Sequence, residues 1–185
     1  MGADMSVLAK RWSRKAHVLI LMRHAKAESG VDLPDIDRPL TDKGLKQAKR
    51  MAKGLVAADL VPDRIACSGA ARARQTLDRM LAVLGDHPKV DYRKSLYDGG
   101  VQAVFEELRQ TSDDTHVLLV LTHEPTVSVA AQWLSSSDSD AGALSLVGLG
   151  MPVGSAAILT ADEPYSRWQV RSARLEGVVR PKDLR

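Results

Sequence analysis

An α/β fold, with helices on both faces of a largely parallel central sheet, is predicted for this 185-residue chain by three observations. Residues 16–22 and 116–121 are nearly continuous apolar runs, the pattern of strands buried on both faces. Between and after them, segments with apolar residues at helical spacing alternate with short strand-like runs. The length suits one core, and no repeat or linker divides the chain. Strand and helix in alternation give a three-layer α/β/α sandwich, whose ligands collect at the carboxyl ends of the strands.

Each element has a local cause. The first strand, residues 16–22, stops at Arg23. Gly30, Pro34 and Pro39, among Asp32, Asp35 and Asp37, make residues 29–40 a loop. Thr41 caps a helix whose apolar face is Leu45, Ala48, Ala52 and Leu55, and Pro62 ends that segment. A short strand at 64–67 runs into the turn Ser68-Gly69. The next helix carries Ala73, Leu77, Met80, Leu81 and Leu84 and stops at Gly85 and Pro88. Gly99-Gly100 precedes a helix with Val101, Val104, Phe105 and Leu108 on one face. After the strand at 116–121, Pro125 suits the first position of a helix through Ala130, Trp133 and Leu134. Residues 135–140 read as a flexible loop by composition. Residues 155–160 and 167–171 read as strands, and the chain frays from Pro181.

Composition excludes several classes of protein. The net charge of +3 is carried by residues 1–15, where Lys10, Arg11, Arg14 and Lys15 face only Asp4; the rest balances. A basic, flexible N-terminus at 1–15 and a single domain at 16–180 are expected, with no nucleic-acid partner, since a basic tail is not a reading surface. The tail lacks the apolar stretch of a secretory signal, and no run is long enough to span a membrane. The single Cys67 forbids an intramolecular disulfide and fits a cytoplasmic location.

Three strand ends concentrate the chemistry. Arg23-His24 follows the first strand, Ser68 to Thr76 (SGAARARQT) follows the second, and Thr122-His123-Glu124-Pro125 follows the strand at 116–121. In a parallel sheet these ends share one rim, giving a pocket with His24, His123, Arg23 and a second guanidinium. Arginine forks match phosphate oxygens, imidazole can attack phosphorus, and helix N-termini after Gly69 and at Pro125 favour anions. Arg72 and Arg74 lie about 200° apart on a helix, so only one faces the pocket. Cys67 is in the wrong register for a cysteine phosphatase loop, because the arginine position of such a loop, reached after five intervening residues, falls on Ala73, between the two arginines. The pocket has arginines where a metallophosphatase would cluster carboxylates, so no metal and no cofactor is expected.

In these segments the chain resembles the histidine phosphatase superfamily, the phosphoglycerate-mutase-like fold. LILMRHA at 19–25 is similar to its signature, SGAARARQT to its phosphate-binding segment with Arg72 at the arginine position, and 122–125 to its late histidine segment. The length and the run Asp37-Arg38-Pro39-Leu40-Thr41-Asp42-Lys43-Gly44 look most like the SixA-type protein-histidine phosphatases. The resemblance implies catalysis by His24, Arg23, Arg72 and His123, with His24 transiently phosphorylated and Arg23, Arg72 and Arg38 binding substrate. Arg38 would guard the pocket mouth, unless it pairs with Asp35 or Asp37. The implied partner is a phosphohistidine-bearing protein; a small phosphorylated substrate, or phosphate recognition without turnover, are the alternatives. Two departures stand out. Ala27 replaces a small hydroxyl residue of many relatives, and no Leu-x-Glu proton donor is present. Asp98 is the nearest acid, while Glu106 and Glu107 are expected to be solvated.

Overall fold

The computed structural model describes residues 12, 14–30 and 32–184. The run after residue 16 forms β1 (His17–Arg23), with Val18 to Met22 wholly buried. Next come α1 (Asp42–Ala57), β2 (Arg64–Ser68), α2 (Ala71–Leu84), β3 (Lys89–Arg93), α3 (Ser95–Asp98) and α4 (Gly100–Gln110). The second half contains β4 (Val117–Thr122), α5 (Thr126–Leu134), α6 (Ala141–Gly148), β5 (Ala156–Ala161) and β6 (Arg174–Val179). The six strands form one sheet in the order β3-β2-β4-β1-β5-β6. β1 is parallel to β4, β4 to β2, and β2 to β3, while β5 and β6 run antiparallel along one side. The largely parallel sheet expected from the sequence is therefore present. Its carboxyl ends at β1, β2 and β4 adjoin one another.

The pleat sends alternate residues to two separate cores. Val18, Ile20 and Met22 of β1 and Val117, Leu119 and Leu121 of β4 pack on α1 and α2 through Ala48, Met51, Leu55, Ala73, Leu77 and Met80. Leu19, Leu21, Leu118 and Val120 face the other helices through Leu96, Val104, Leu108, Val127 and Ala130. Both faces are covered, which is why the central strands read as continuous apolar runs rather than alternating ones.

One local contact fixes the loop between β1 and α1. The Thr41 hydroxyl accepts from the Gly44 amide at 3.0 Å, and both its N–H and O–H donate to the Lys26 carbonyl. A Cβ at Gly44 would collide with that carbonyl oxygen. The run from Arg38 to Gly44 thus locks the start of α1 onto the backbone two residues beyond His24.

Several expectations are corrected. The alternating residues 167–171 are not a strand: a 3-10 turn at Tyr165–Arg167 leads into a tight turn with Arg171 at φ 62. Trp168 is buried there and its Nε1 donates to the Glu163 carbonyl, so the alternation reflects a packed turn. The strand lies later, at β6. The edge strand β3 and the helix α6 have weak signals, the first having no fully buried residue and the second being rich in small residues. The Asp140 carboxylate caps α6 from the Ala143 amide, and Ser139 Oγ accepts from the Leu175 amide, so residues 139–140 are tied down. α5 begins at Thr126, with Pro125 preceding it rather than opening it, and Trp133 lies on its half-exposed side. The chain does not fray at Pro181: a 3-10 turn follows, Arg180 pairs with Asp183, and Leu184 lies against Gly54 of α1. Trp12, expected in a loose tail, is fully buried, and Lys15 pairs with Asp162 at 3.2 Å. The remainder of the basic N-terminal expectation, residues 1–11 and 13, lies outside the described residues. Glu107 is also buried, bridging Arg64 at 3.2 Å and Arg93 at 2.8 Å. Its position on the inner side of α4, facing two arginines from β2 and β3, outweighs its polarity. No helix among the described residues is long and apolar enough to cross a membrane.

Candidate active site

His24 follows the last residue of β1 and is held on one side by β4 and on the other by the turn before β5. Its amide donates to the Thr122 carbonyl of β4 and its carbonyl accepts from the Gly154 amide. Its side chain is 7% exposed, and Nδ1 lies 2.7 Å from the Ala25 carbonyl. A carbonyl can only accept, so Nδ1 carries the proton and Nε2 keeps its lone pair. Arg72 Nε donates to that Nε2 at 3.3 Å. Burial, with Arg72, Arg23 and Arg38 nearby, pushes the His24 pKa down to about 4, against the pull of the Ala25 bond. The ring is neutral at pH 7, the form a nucleophile needs.

Arg72 lies in the first turn of α2 and is 5% exposed, whereas Arg74 stacks over the Tyr92 ring at 4.7 Å. The helical geometry therefore selects Arg72 for the pocket, as the sequence reading expected. Thr76, one turn on, donates to the Arg72 carbonyl and accepts from the Ala25 amide, joining α2 to the His24 segment. Besides His24, Arg72 binds the Asp35 carbonyl through Nη1 at 2.7 Å and its carboxylate through Nη2 at 3.0 Å. Arg38 Nε pairs with the same carboxylate at 2.9 Å, and its Nη1 donates to the Glu28 carbonyl. Arg38 thus makes the loop ion pair that was its alternative reading. It also stands close enough to contribute to the electrostatics of His24.

His123 follows β4, and its ring centroid lies 5.2 Å from that of His24. Its Nε2 is 2.7 Å from Ser68 Oγ, the last residue of β2. Ser68 Oγ also lies 3.3 Å from the Ala70 amide, which can only donate to it. Burial, then the His24, Arg72 and Arg23 charges, lower the His123 pKa to about 3, partly opposed by Asp35. Its Nδ1 is buried without a hydrogen bond, as is Nε of Arg23. Arg23 is anchored by Nη1, which donates to the Met151 carbonyl at 2.7 Å. Burial lowers its pKa, Glu124 opposes that, and Arg72 adds to it. Glu124 itself is spent on α5, where it accepts from the amide and hydroxyl of Ser128.

His24, Arg23, Arg72 and His123 therefore converge, as three parallel strand ends require. Asp98 does not join them: it is exposed at the end of α3 and makes no hydrogen bond to the pocket residues. Its neighbour Tyr97 does, donating to Asp35 Oδ2 at 3.0 Å and meeting His123 edge-on at 5.6 Å. Asp35, Tyr97 and Ser68 are pocket residues that motif reading did not assign. Their sequence signal was proximity to assigned residues, Asp35 as a possible partner of Arg38, Tyr97 beside Asp98 and Ser68 opening the Arg72 segment, which gives no direction for a side chain. Among the described residues no group of three or more His, Cys, Asp or Glu is placed to hold a metal.

Two neutral imidazoles and two guanidiniums at the carboxyl rim of a largely parallel sheet make a pocket for phosphoryl chemistry. The family model for branch 1 of the histidine phosphatase superfamily matches residues 19–98, and the chain belongs to that superfamily. It is 34% identical to an uncharacterized protein of Mycobacterium tuberculosis over 163 residues, covering 87% of this chain and all of that one. Among solved structures, a candidate phosphohistidine phosphatase SixA from Nakamurella multipartitia is 32% identical, with TM-score 0.77 over 88% of this chain and 94% of that one. The protein histidine phosphatase SixA complexed with tungstate shares the fold, at 23% identity and TM-score 0.73 over 90% and 98% of the two chains.

Proposed function

We propose that this phosphatase works through a phosphohistidine on His24 and that its substrate is phosphohistidine on a cytoplasmic signalling or phosphotransfer protein, handled by one domain spanning residues 16–180. The observation that carries the reading is the His24 ring. Its Nδ1 proton is tied to the Ala25 carbonyl, so the Nε2 lone pair stands against the Arg72 guanidinium, the group suited to hold the phosphoryl oxygens. In the first step Nε2 attacks phosphorus in line, and the bond to the leaving group breaks with its electron pair going to that group. Arg23 and Arg72 neutralise the equatorial oxygens. His123 donates from Nδ1, the buried atom that has no partner within the protein. In the second step water attacks the phosphoryl group, releasing phosphate and restoring neutral His24.

The leaving group supports phosphohistidine over an alkyl ester. An alkoxide needs a proton from a positioned acid. Asp98 is exposed, and the pocket carboxylate Asp35 is ionised: burial opposes this, but Tyr97, Arg38 and Arg72 bring its pKa down to about 2. A phosphohistidine ring protonated on its other nitrogen leaves as neutral imidazole and needs no such donor. The test is to expose the wild-type protein and His24→Ala to a ³²P-labelled phosphohistidine protein and quench rapidly. An acid-labile, base-stable label on the wild type alone is expected. Undiminished turnover by His24→Ala overturns the mechanism. Brisk turnover of a sugar phosphate, with none of the phosphohistidine protein, overturns the substrate.

A further inference from the structure

Asp35 is an anion fixed inside a pocket built for anions. Its Oδ2 accepts from Arg72 Nη2 and from the Tyr97 hydroxyl, both at 3.0 Å, and its Oδ1 accepts from Arg38 Nε at 2.9 Å. Its carbonyl accepts from Arg72 Nη1. Contacts from α2, from α3 and from its own turn thus hold the carboxylate against the guanidinium that touches His24 Nε2. The other charged or titratable groups of the pocket are Arg23, His24 and His123, and both imidazoles are neutral at pH 7. The Asp35 side chain is 54% exposed. An ionised carboxylate offers about four acceptor sites, and these bonds occupy three.

A carboxylate there repels the phosphoryl group itself and takes up part of the Arg72 fork. It lowers affinity for phosphate unless something else in the substrate uses it. In-line attack by Nε2 puts the leaving group on the far side of phosphorus from the His24 ring, and Asp35, held on the guanidinium beside Nε2 and half exposed, is the pocket carboxylate open to a group arriving from solvent. We propose that Asp35 selects the leaving group, favouring phosphoryl donors whose leaving group is cationic, such as the protonated ring of phosphohistidine. The inference rests on the phosphatase reading above and adds the residue that sets its substrate class. The P–N bond breaks, its electron pair returns to the ring nitrogen, and the cationic ring departs as neutral imidazole. Asp35 holds the proton on the far ring nitrogen until that point, extending the reactive form to higher pH.

Orienting Arg72 is the simpler role for Asp35, and it makes a different prediction, because a misplaced Arg72 slows every substrate equally. The experiment compares wild type, Asp35→Asn and Asp35→Glu on a phosphohistidine peptide and on two aryl phosphates. The aryl pair is matched in leaving-group pKa, one member carrying a quaternary ammonium and the other none. Wild type should prefer the ammonium ester by about threefold to fivefold in kcat/KM, the scale of one half-exposed ion pair. Asp35→Asn should erase that preference and Asp35→Glu restore most of it. On the phosphohistidine peptide, Asp35→Asn should move the alkaline limb of kcat/KM to lower pH. No preference in wild type, or an equal loss on both aryl esters in Asp35→Asn, overturns the inference. A phosphohistidine peptide that is not hydrolysed, alongside an Asp35-dependent ammonium preference, overturns the proposed substrate and upholds the role of Asp35.

Discussion

Replacing Arg72 by lysine keeps the charge and removes the fork. In the structure Arg72 engages three partners through three different nitrogens: His24 Nε2 at 3.3 Å, the Asp35 carbonyl at 2.7 Å and the Asp35 carboxylate at 3.0 Å. A planar guanidinium has five N–H donors, so further donors remain for a phosphoryl oxygen while those contacts persist. A lysine ammonium has three donors around one point and cannot reach His24, Asp35 and phosphate together. The loss at the transition state should match that of a preorganised oxyanion donor, about 3–4 kcal/mol or a 10²–10³-fold fall in kcat. Arg74→Lys is the matched control. Its guanidinium stacks on Tyr92 at the surface, a contact worth about 0.5–1 kcal/mol of stability, and activity should change less than twofold. Steady-state kinetics on 4-nitrophenyl phosphate and on a phosphohistidine peptide, with thermal melts to exclude unfolding, reads both variants. Arg72→Lys retaining a third or more of wild-type kcat refutes the reasoning, and Arg74→Lys as the damaging change means that the wrong face of α2 was chosen.

Three further outcomes follow from named contacts. With the His24 and His123 pKa values at about 4 and 3, kcat/KM for a pH-insensitive aryl ester should be level from pH 6 to 8 and fall on an acid limb near pH 4. Both folded values lie below the ordinary 6.5, so the unfolded chain binds more protons between them. Stability is fully present above pH 6.5 and is lost as the pH falls toward 4, by about 3 kcal/mol for His24, as urea midpoints across that range will show. Glu107→Ala leaves Arg64 and Arg93 without their shared buried carboxylate and should cost about 3 kcal/mol of stability by urea titration, with little effect on KM. Gly44→Ala drives a Cβ into the Lys26 carbonyl and should cost about 1–3 kcal/mol and reduce kcat through the His24 segment. Gly148→Ala, whose Cβ meets nothing within 4 Å, should be neutral by both measures.

The chain order of strands and helices was legible because its causes are local. β1 and β4 are covered on both faces, so burial wrote continuous apolar runs into the sequence at 16–22 and 116–121. A parallel sheet brings the ends of β1, β2 and β4 to one rim, so Arg23, His24, His123 and the need for a second guanidinium could be named before any contact was known. Helical periodicity showed that only one of Arg72 and Arg74 could face the pocket, and the family resemblance selected Arg72. Elements with one exposed face or with small residues left no such mark, which is why β3 and α6 were missed and the packed turn at Trp168 resembled a strand. Side-chain direction was decided only by tertiary packing. Tyr97 reaches the pocket and its neighbour Asp98 does not; Glu107 turns inward from α4 to two arginines of β2 and β3. The carboxylate on the Arg72 fork comes from a residue 37 positions away, in a loop closed by contacts that no local pattern encodes. Residue types and spacing determined which chemistry the protein could hold. Long-range contacts decided its protonation states, because desolvation and neighbouring charge act through space rather than along the chain.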